Sequence, residues 1–283
     1  MSGDGYAGEE VDQLGEAVLG AVAGAVPDEV ARSSFDPTRA PAPDEKPWWG
    51  RPVGELRWQA ELARLLVDPV YRGVGLPRGD GGPVLLIPGF LAGDSSLYLM
   101  AGWLRRLGHD PHRAGITVNV DCSDRAVDRL EKVLQRLHGR SGRRVAVVGH
   151  SRGGHFAKAL SSRRPHLVRT TVTMGSGLDQ PFDISLPTKV AVASVRATLR
   201  RLDPETAARG CLTDTCDCPY TRDYSAPFPT TVPLTSIYTD SDGIVRPRSC
   251  VVPYARNVRV PGTHLGLTVN RHAYRVLAAV LAA

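Results

Sequence analysis

Gly149-His150-Ser151-Arg152-Gly153 fits the pattern G-x-S-x-G. The residues before it, Arg144-Val145-Ala146-Val147-Val148, are apolar and β-branched, as a fully buried parallel strand requires. Those after Gly154 space their apolar positions as a helix does, up to a stop near Pro165. A serine on a sharp strand-to-helix turn has its hydroxyl lifted clear of the sheet. The two glycines are there because side chains would collide in so tight a turn. A serine hydroxyl is a poor nucleophile until a histidine takes its proton, and that histidine needs a carboxylate to orient it. His264 lies in Pro261-Gly262-Thr263-His264-Leu265-Gly266, a glycine-flanked loop where a mobile, sheet-facing base belongs. Thr239-Asp240-Ser241-Asp242-Gly243-Ile244-Val245 offers two carboxylates, and Asp179 is a remoter third. Such a trio attacks an acyl carbonyl, and two backbone N–H groups must receive the negative charge that develops on its oxygen. One donor is expected from Arg152, the residue after the serine.

The elements that would carry these groups alternate. Residues 83–87 (PVLLI), between Gly81-Gly82 and Pro88-Gly89, read as a central strand followed by a tight loop. A helix is expected over 95–107, a third strand over 116–120, and a helix over 125–138 with Ser123 as its N-cap. After the serine turn come a strand at 168–172, a helical patch at 190–202, strands at 232–238 and 258–260, and a terminal helix over 267–281. Strands alternating with helices point to an α/β chain with a mostly parallel sheet covered on both faces. Residues 178–230 break the alternation with six prolines and three clustered cysteines, as a cap or lid above the sheet would. Upstream, residues 1–79 read as an extension packing on the core: an amphipathic helix at 9–26, a surface linker over 27–52, and a helical segment at 56–70. No chemistry is recognisable in it; its expected role is to cover one side or edge of the sheet.

These motifs, in this order, resemble those of the α/β-hydrolase superfamily, and more narrowly the esterase/lipase-type hydrolases common in actinobacteria. The resemblance covers about residues 80–283 and implies an α/β-hydrolase fold with a cap insertion. In that fold the chain order is Ser, acid, His. Of eight histidines only His264 and His272 come late enough, and His272, beside Arg271 in the terminal helix, reads as a surface residue. His150 is expected to pack under the site and His155 to sit on a helix face. Asp242 matches the family's acid position, with Asp240 the runner-up. The second oxyanion donor is implied at Phe90 in Pro88-Gly89-Phe90-Leu91, where Pro88 replaces the family's usual histidine. The Arg152 side chain is expected to point away and pair with an acidic residue rather than reach a substrate carboxylate or phosphate. The implied activity is hydrolysis of a small-molecule or lipid acyl ester through an acyl-enzyme. The same trio would also serve an acyltransferase or thioesterase, whereas a non-catalytic binding protein of this fold would usually have lost one of its members.

Composition bounds the rest. The chain has 283 residues, 42% of them hydrophobic, and a net charge of +6 from 35 basic against 29 acidic residues. The arginines are scattered and only 6% of residues are aromatic, which argues against a nucleic-acid surface. Neither a metal-ligand set nor a dinucleotide fingerprint appears, so no cofactor is expected. Cys211, Cys216 and Cys218 lack zinc spacing, and either free thiols or lid disulfides would suit them. Residues 17–26 are apolar enough for a signal-peptide core, but the residues before them are acidic. No apolar run reaches the length of a membrane span. A cytoplasmic monomer or homodimer is expected.

Overall fold

The computed structural model of the chain describes residues 52–202, Leu212, Cys216 and residues 218–283. The expected helix at 9–26, all but the last residue of the expected linker, and Cys211 lie outside the described residues. In chain order the elements are α1 (Trp58–Val67), β1 (Pro83–Ile87), α2 (Tyr98–Leu107), β2 (Asp110–Arg113) and α3 (Ser123–Ser141). Then follow β3 (Val145–His150), α4 (Arg152–Arg163), β4 (Val168–Met174), α5 (Leu186–Leu202) and α6 (Pro219–Ser225). β5 (Leu234–Tyr238), β6 (Arg256–Arg259) and α7 (Arg271–Ala282) complete the chain.

The six strands form one sheet in the order β2-β1-β3-β4-β5-β6, and every neighbouring pair is parallel. Successive side chains of a strand face opposite sides, so a strand buried on both faces must be apolar throughout. In β1, Val84 and Leu86 face one apolar layer with Trp103, Leu104 and Tyr274, supplied by α2 and α7. Leu85 and Ile87 face the other, with Leu130, Leu134, Phe156 and Leu160 from α3 and α4. Trp103 and Tyr274 are in ring contact at 4.3 Å, and the Trp103 indole N–H donates to Val70 O, fastening the segment after α1 to α2.

The strand expected at 116–120 does not form, and the edge strand is Asp110–Arg113 instead. Pro111 and the polar residues around it suit an edge, where only one side of the ladder is paired. The 116–120 backbone hydrogen-bonds the loop after β1: Asp94 N–H donates to Ile116 O, Leu91 N–H to Asn119 O, and Asn119 N–H to Ala92 O. Gly93 fits there because a Cβ would stand 2.0 Å from Thr117 O. Val118 is exposed, so an apolar run in sequence is here a brace for a loop.

Two helix starts also differ from expectation. Ser123 is the first residue of α3, not its cap, and its hydroxyl accepts from Arg152. The terminal helix begins at Arg271 because Asn270 caps it, accepting from the N–H groups of His272 and Ala273; a 3-10 turn, Gly266–Val269, precedes it. Within residues 178–230, α6 docks on the core through Arg163, which bonds Asp223 at 2.6 Å and Asp128 at 2.7 Å, and through Tyr220 N–H on Asp124. Trp103→Ala is expected to destabilise the protein by about 3–5 kcal/mol, through lost burial and the cavity left behind, read from the midpoint of urea unfolding.

Candidate active site

β3 runs straight into Ser151, whose φ of 53° and ψ of −124° lie where side chains are seldom tolerated, and α4 starts at the next residue. Backbone in such a region costs on the order of 1–3 kcal/mol and persists only where its surroundings over-determine it. Here they do. Ser151 N–H donates to Met174 O at 2.8 Å, and the Ser176 hydroxyl donates to Ser151 O at 2.8 Å. A Cβ on Gly149 would lie 2.3 Å from Gly153 O, and one on Gly153 would lie 2.2 Å from Ile87 O. Both glycines are therefore required by close backbone approach. Gly89, in the loop after β1, comes as close as 3.1 Å to the Ser151 Cβ by the same measure.

Asp242 and His264 are brought together by the loops after β5 and β6. The His264 Nδ1–H donates to Asp242 Oδ2 at 2.7 Å, and both side chains are buried. The other Asp242 oxygen accepts from the N–H groups of Ile244 and Val245, which fixes the carboxylate plane. Burial opposes charge on His264, but the charge and hydrogen bond of Asp242, with the charge of Glu55, hold its pKa above the ordinary value. The His264 ring lies over Gly175, where a Cβ would stand 3.0 Å from Nδ1. Gly175 follows the residue whose carbonyl receives Ser151 N–H, so serine and imidazole share one end of the sheet.

The other candidates go elsewhere. Asp240 is exposed and paired with Arg259 at 2.7 Å. Asp179 accepts from the Tyr254 hydroxyl and lies 3.4 Å from Lys158 Nζ. His272 is half-buried beside Arg271. His150 does pack beneath the site: its Nε2 meets His264 O at 3.0 Å and its ring stands 4.9 Å from that of His264. His155 is buried against Tyr224 on the wall of the main cavity. Burial lowers the pKa of each of these two histidines to about 3, helped by His264 in one case and by Arg152 and Lys158 in the other.

At the start of α4 the Arg152 N–H has no partner within the helix, as at every helix start. In the loop after β1, Leu91 N–H donates to Asn119 O and Ala92 N–H to Gly89 O. The Arg152 side chain lines the cavity and reaches the segment 119–123. Its guanidinium donates to Asn119 O and Oδ1, to Asp121 O and to Ser123 Oγ, and it stacks over Phe156. Asn119 in turn donates to Pro88 O at 2.8 Å. Arg152 thus braces the loop that carries Phe90. Composition around the motif gave no hint of Asn119, because its role depends on the non-strand path of 116–120.

A cavity of about 790 Å³ opens over Ser151. Phe90, Phe182, Ile184, Val192 and Ile244 give it apolar walls, and α5 and the segment before it supply much of one side. Ile184 makes an antiparallel bridge with Val245, beside Asp242, so residues 178–230 are tied to the loop that holds the acid. Glu55 and Glu61 were also missed by the sequence reading, although they hold the His264 loop from the N-terminal side: Glu55 accepts from His264 N–H and Leu265 N–H, and Glu61 from Thr263. Glu61 precedes buried Leu65 by one helical turn, and an acid on an apolar stripe is a signal of that kind.

In shape the chain is similar to the mature lipase BlEst2 of Bacillus licheniformis, with a TM-score of 0.50 and 16% identity over 74% of this chain and 95% of that one. It is similar too to a soluble variant of monoglyceride lipase from Saccharomyces cerevisiae in complex with a substrate analog. There the TM-score is 0.50 and the identity 15%, over 74% of this chain and 88% of the other. At such identities the likeness is one of fold, and with the six-stranded parallel sheet covered on both faces it defines an α/β-hydrolase fold. By sequence, no family and no curated protein matches the chain.

The buried histidines set an acid limit on stability. Unfolding returns His150 and His155 to an ordinary pKa of 6.5, so below that pH the unfolded chain takes up protons that the folded chain refuses. His264 has the opposite sign; its contribution is complete below pH 6.5 and fades as pH rises through its raised folded pKa. Two histidines outweigh one, so the melting temperature is expected to fall between pH 6.5 and pH 5. His155→Phe, which removes an Nε2 that has no partner among the described residues, is expected to flatten that slope.

Proposed function

We propose that the protein is a serine hydrolase of carboxylic esters, acting through Ser151, His264 and Asp242 and an acyl-enzyme intermediate. The observation that carries this is the buried His264–Asp242 hydrogen bond, at the sheet end where Ser151 is held at positive φ. Ser151 Oγ attacks the acyl carbonyl while His264 Nε2 takes its proton. Asp242 keeps Nδ1 protonated, and so Nε2 free to accept, and it stabilises the imidazolium once formed. The tetrahedral oxyanion rests on the N–H groups of Phe90 and Arg152, each donor contributing on the order of a hundredfold in rate or more. The imidazolium then protonates the leaving alcohol. Water, activated by the same nitrogen, attacks the acyl-enzyme and releases the acid and free Ser151.

The catalytic unit spans residues 80–283, with 178–230 as its cap, and residues 54–79 pack against it. The apolar walls favour an acyl group in the cavity, since burying a methylene there is worth about 0.8 kcal/mol. The fold-level likeness to two lipases is consistent with that substrate class. Among the described residues no helix is long and apolar enough to cross a membrane. A fluorophosphonate probe should label the parent protein and not Ser151→Ala, and nitrophenyl ester turnover should fall at least a thousandfold in that variant. Undiminished labelling of Ser151→Ala would refute the assignment. Asp242→Asn should cost roughly 10⁴-fold in kcat, while Asp240→Asn should leave it within about twofold. In a graded series of nitrophenyl esters, kcat/KM should rise with acyl length until the cavity is filled.

A further inference from the structure

We propose that Glu55, which lies N-terminal to the sheet, is a positioning residue that locks the base-bearing and acid-bearing loops to each other. This rests on the assignment of Ser151, His264 and Asp242 as the reacting set. Glu55 sits in the 3-10 turn Pro52–Arg57 and is 6% exposed. One carboxylate oxygen accepts from Gly243 N–H at 2.9 Å and from His264 N–H at 3.1 Å; the other accepts from Leu265 N–H at 2.9 Å. Gly243 adjoins the acid, and His264 is the base. A single rigid, planar group therefore sets the spacing between the backbones that carry them.

Glu61, further along the same segment, secures the other side of the loop. Its oxygens accept from Thr263 N–H and Oγ1, each at 2.8 Å, and from Asn270 Nδ2 at 2.8 Å. A Cβ on Gly266 would stand 2.3 Å from Glu61 Oε2, and one on Gly262 would stand 2.6 Å away. The glycines flanking His264 thus make room for a carboxylate. The loop expected to be mobile is held by two acids. A reacting group displaced by about 1 Å can lose a hundredfold in rate, so spacing of this kind bears directly on turnover.

Glu55 also acts on His264 through its charge. The groups facing the imidazole are Asp242 from the loop after β5, Glu55 from the N-terminal side, and His150 from beneath, with Glu61 one residue away on Thr263. Asp242 and Glu55 both favour the imidazolium, whereas the charge of Glu61 is not among the groups that shift His264.

The test compares Glu55→Gln, Glu61→Gln and the parent full-length chain on one nitrophenyl ester across pH, with thermal melts of each. Glu55→Gln should lower kcat roughly tenfold or more with KM within about twofold. Its acid limb in kcat/KM should move to lower pH, because removing a negative charge lowers the pKa of the base. Glu61→Gln should leave that limb where it is in the parent. A merely structural role would lower the melting temperature without moving the limb. Parental kcat and a superimposable pH profile in Glu55→Gln would overturn the proposal. If Glu55→Gln does not fold, Glu55→Asp decides: reduced kcat with the limb at its parental position supports the proposal, and parental kcat overturns it. Failure of both variants to fold overturns it in favour of a folding role. Fluorophosphonate labelling of Ser151→Ala runs in parallel. If labelling persists there, the assignment of the site fails first; if it is lost while Glu55→Gln behaves as the parent, only the proposal about Glu55 fails.

Discussion

β1, β3 and the start of α4 meet with no room for one additional methyl group, and the arrangement of the site follows from that contact. Gly153 passes against Ile87 O, and Gly149 against Gly153 O, at separations that exclude a Cβ. The chain can turn from strand to helix in that space only by placing Ser151 at positive φ. The same crossing brings the loop after β1 against the serine, where a Cβ on Gly89 would lie 3.1 Å from the Ser151 Cβ. Close packing of backbone against backbone fixes the serine relative to that loop, and the side chains of Arg152 and Asn119 brace the loop from outside.

Sequence made the core strands and this turn legible because both are written in local, contiguous residues. Residues 83–87 and 144–148 are largely apolar runs, and they appear as β1, with the expected bounds, and β3, which runs two residues further to His150. Ser151, His264 and Asp242 could be picked out because each stands in a short loop after a strand. The failures share a cause. Ile116-Thr117-Val118-Asn119-Val120 has strand composition, yet its backbone partners are residues 91–94, and the edge position goes to a proline-containing segment that carries no apolar signal. Glu55 and Glu61 act across separations of about two hundred residues, and their partners are mostly backbone N–H groups, which leave no trace in the identity of the residues that own them. The hydrogen bonds of the Arg152 side chain to the carbonyls of residues 119 and 121 belong to the same class, since they depend on the path of a loop.

Three buried histidines, His150, His155 and His264, show how little residue type decides by itself. His150 and His155 are buried without a carboxylate, and burial, helped by neighbouring positive charge, drives them to the neutral form. His264 is buried as deeply, and Asp242 reverses the sign. His150 then serves as a neutral prop whose Nε2 meets the backbone carbonyl of His264. Were it charged, it would oppose the imidazolium that His264 must become when it accepts the serine proton.

Burying three carboxylates around one imidazole would be costly if each needed a counter-ion, since a desolvated charge without compensation is worth several kcal/mol. They are compensated instead by dipoles. Asp242 takes two backbone N–H groups besides the imidazole, Glu55 takes three, and Glu61 takes one together with a hydroxyl and an amide. Of the three, Asp242 and Glu55 are the ones whose charges favour the imidazolium of His264. With the charges of Asp242 and Glu55 acting on it, the His264 imidazole is held above its ordinary pKa although burial opposes its charge. Under the proposed mechanism the same field stabilises the charge-separated state formed when Ser151 gives up its proton, and so lowers the barrier.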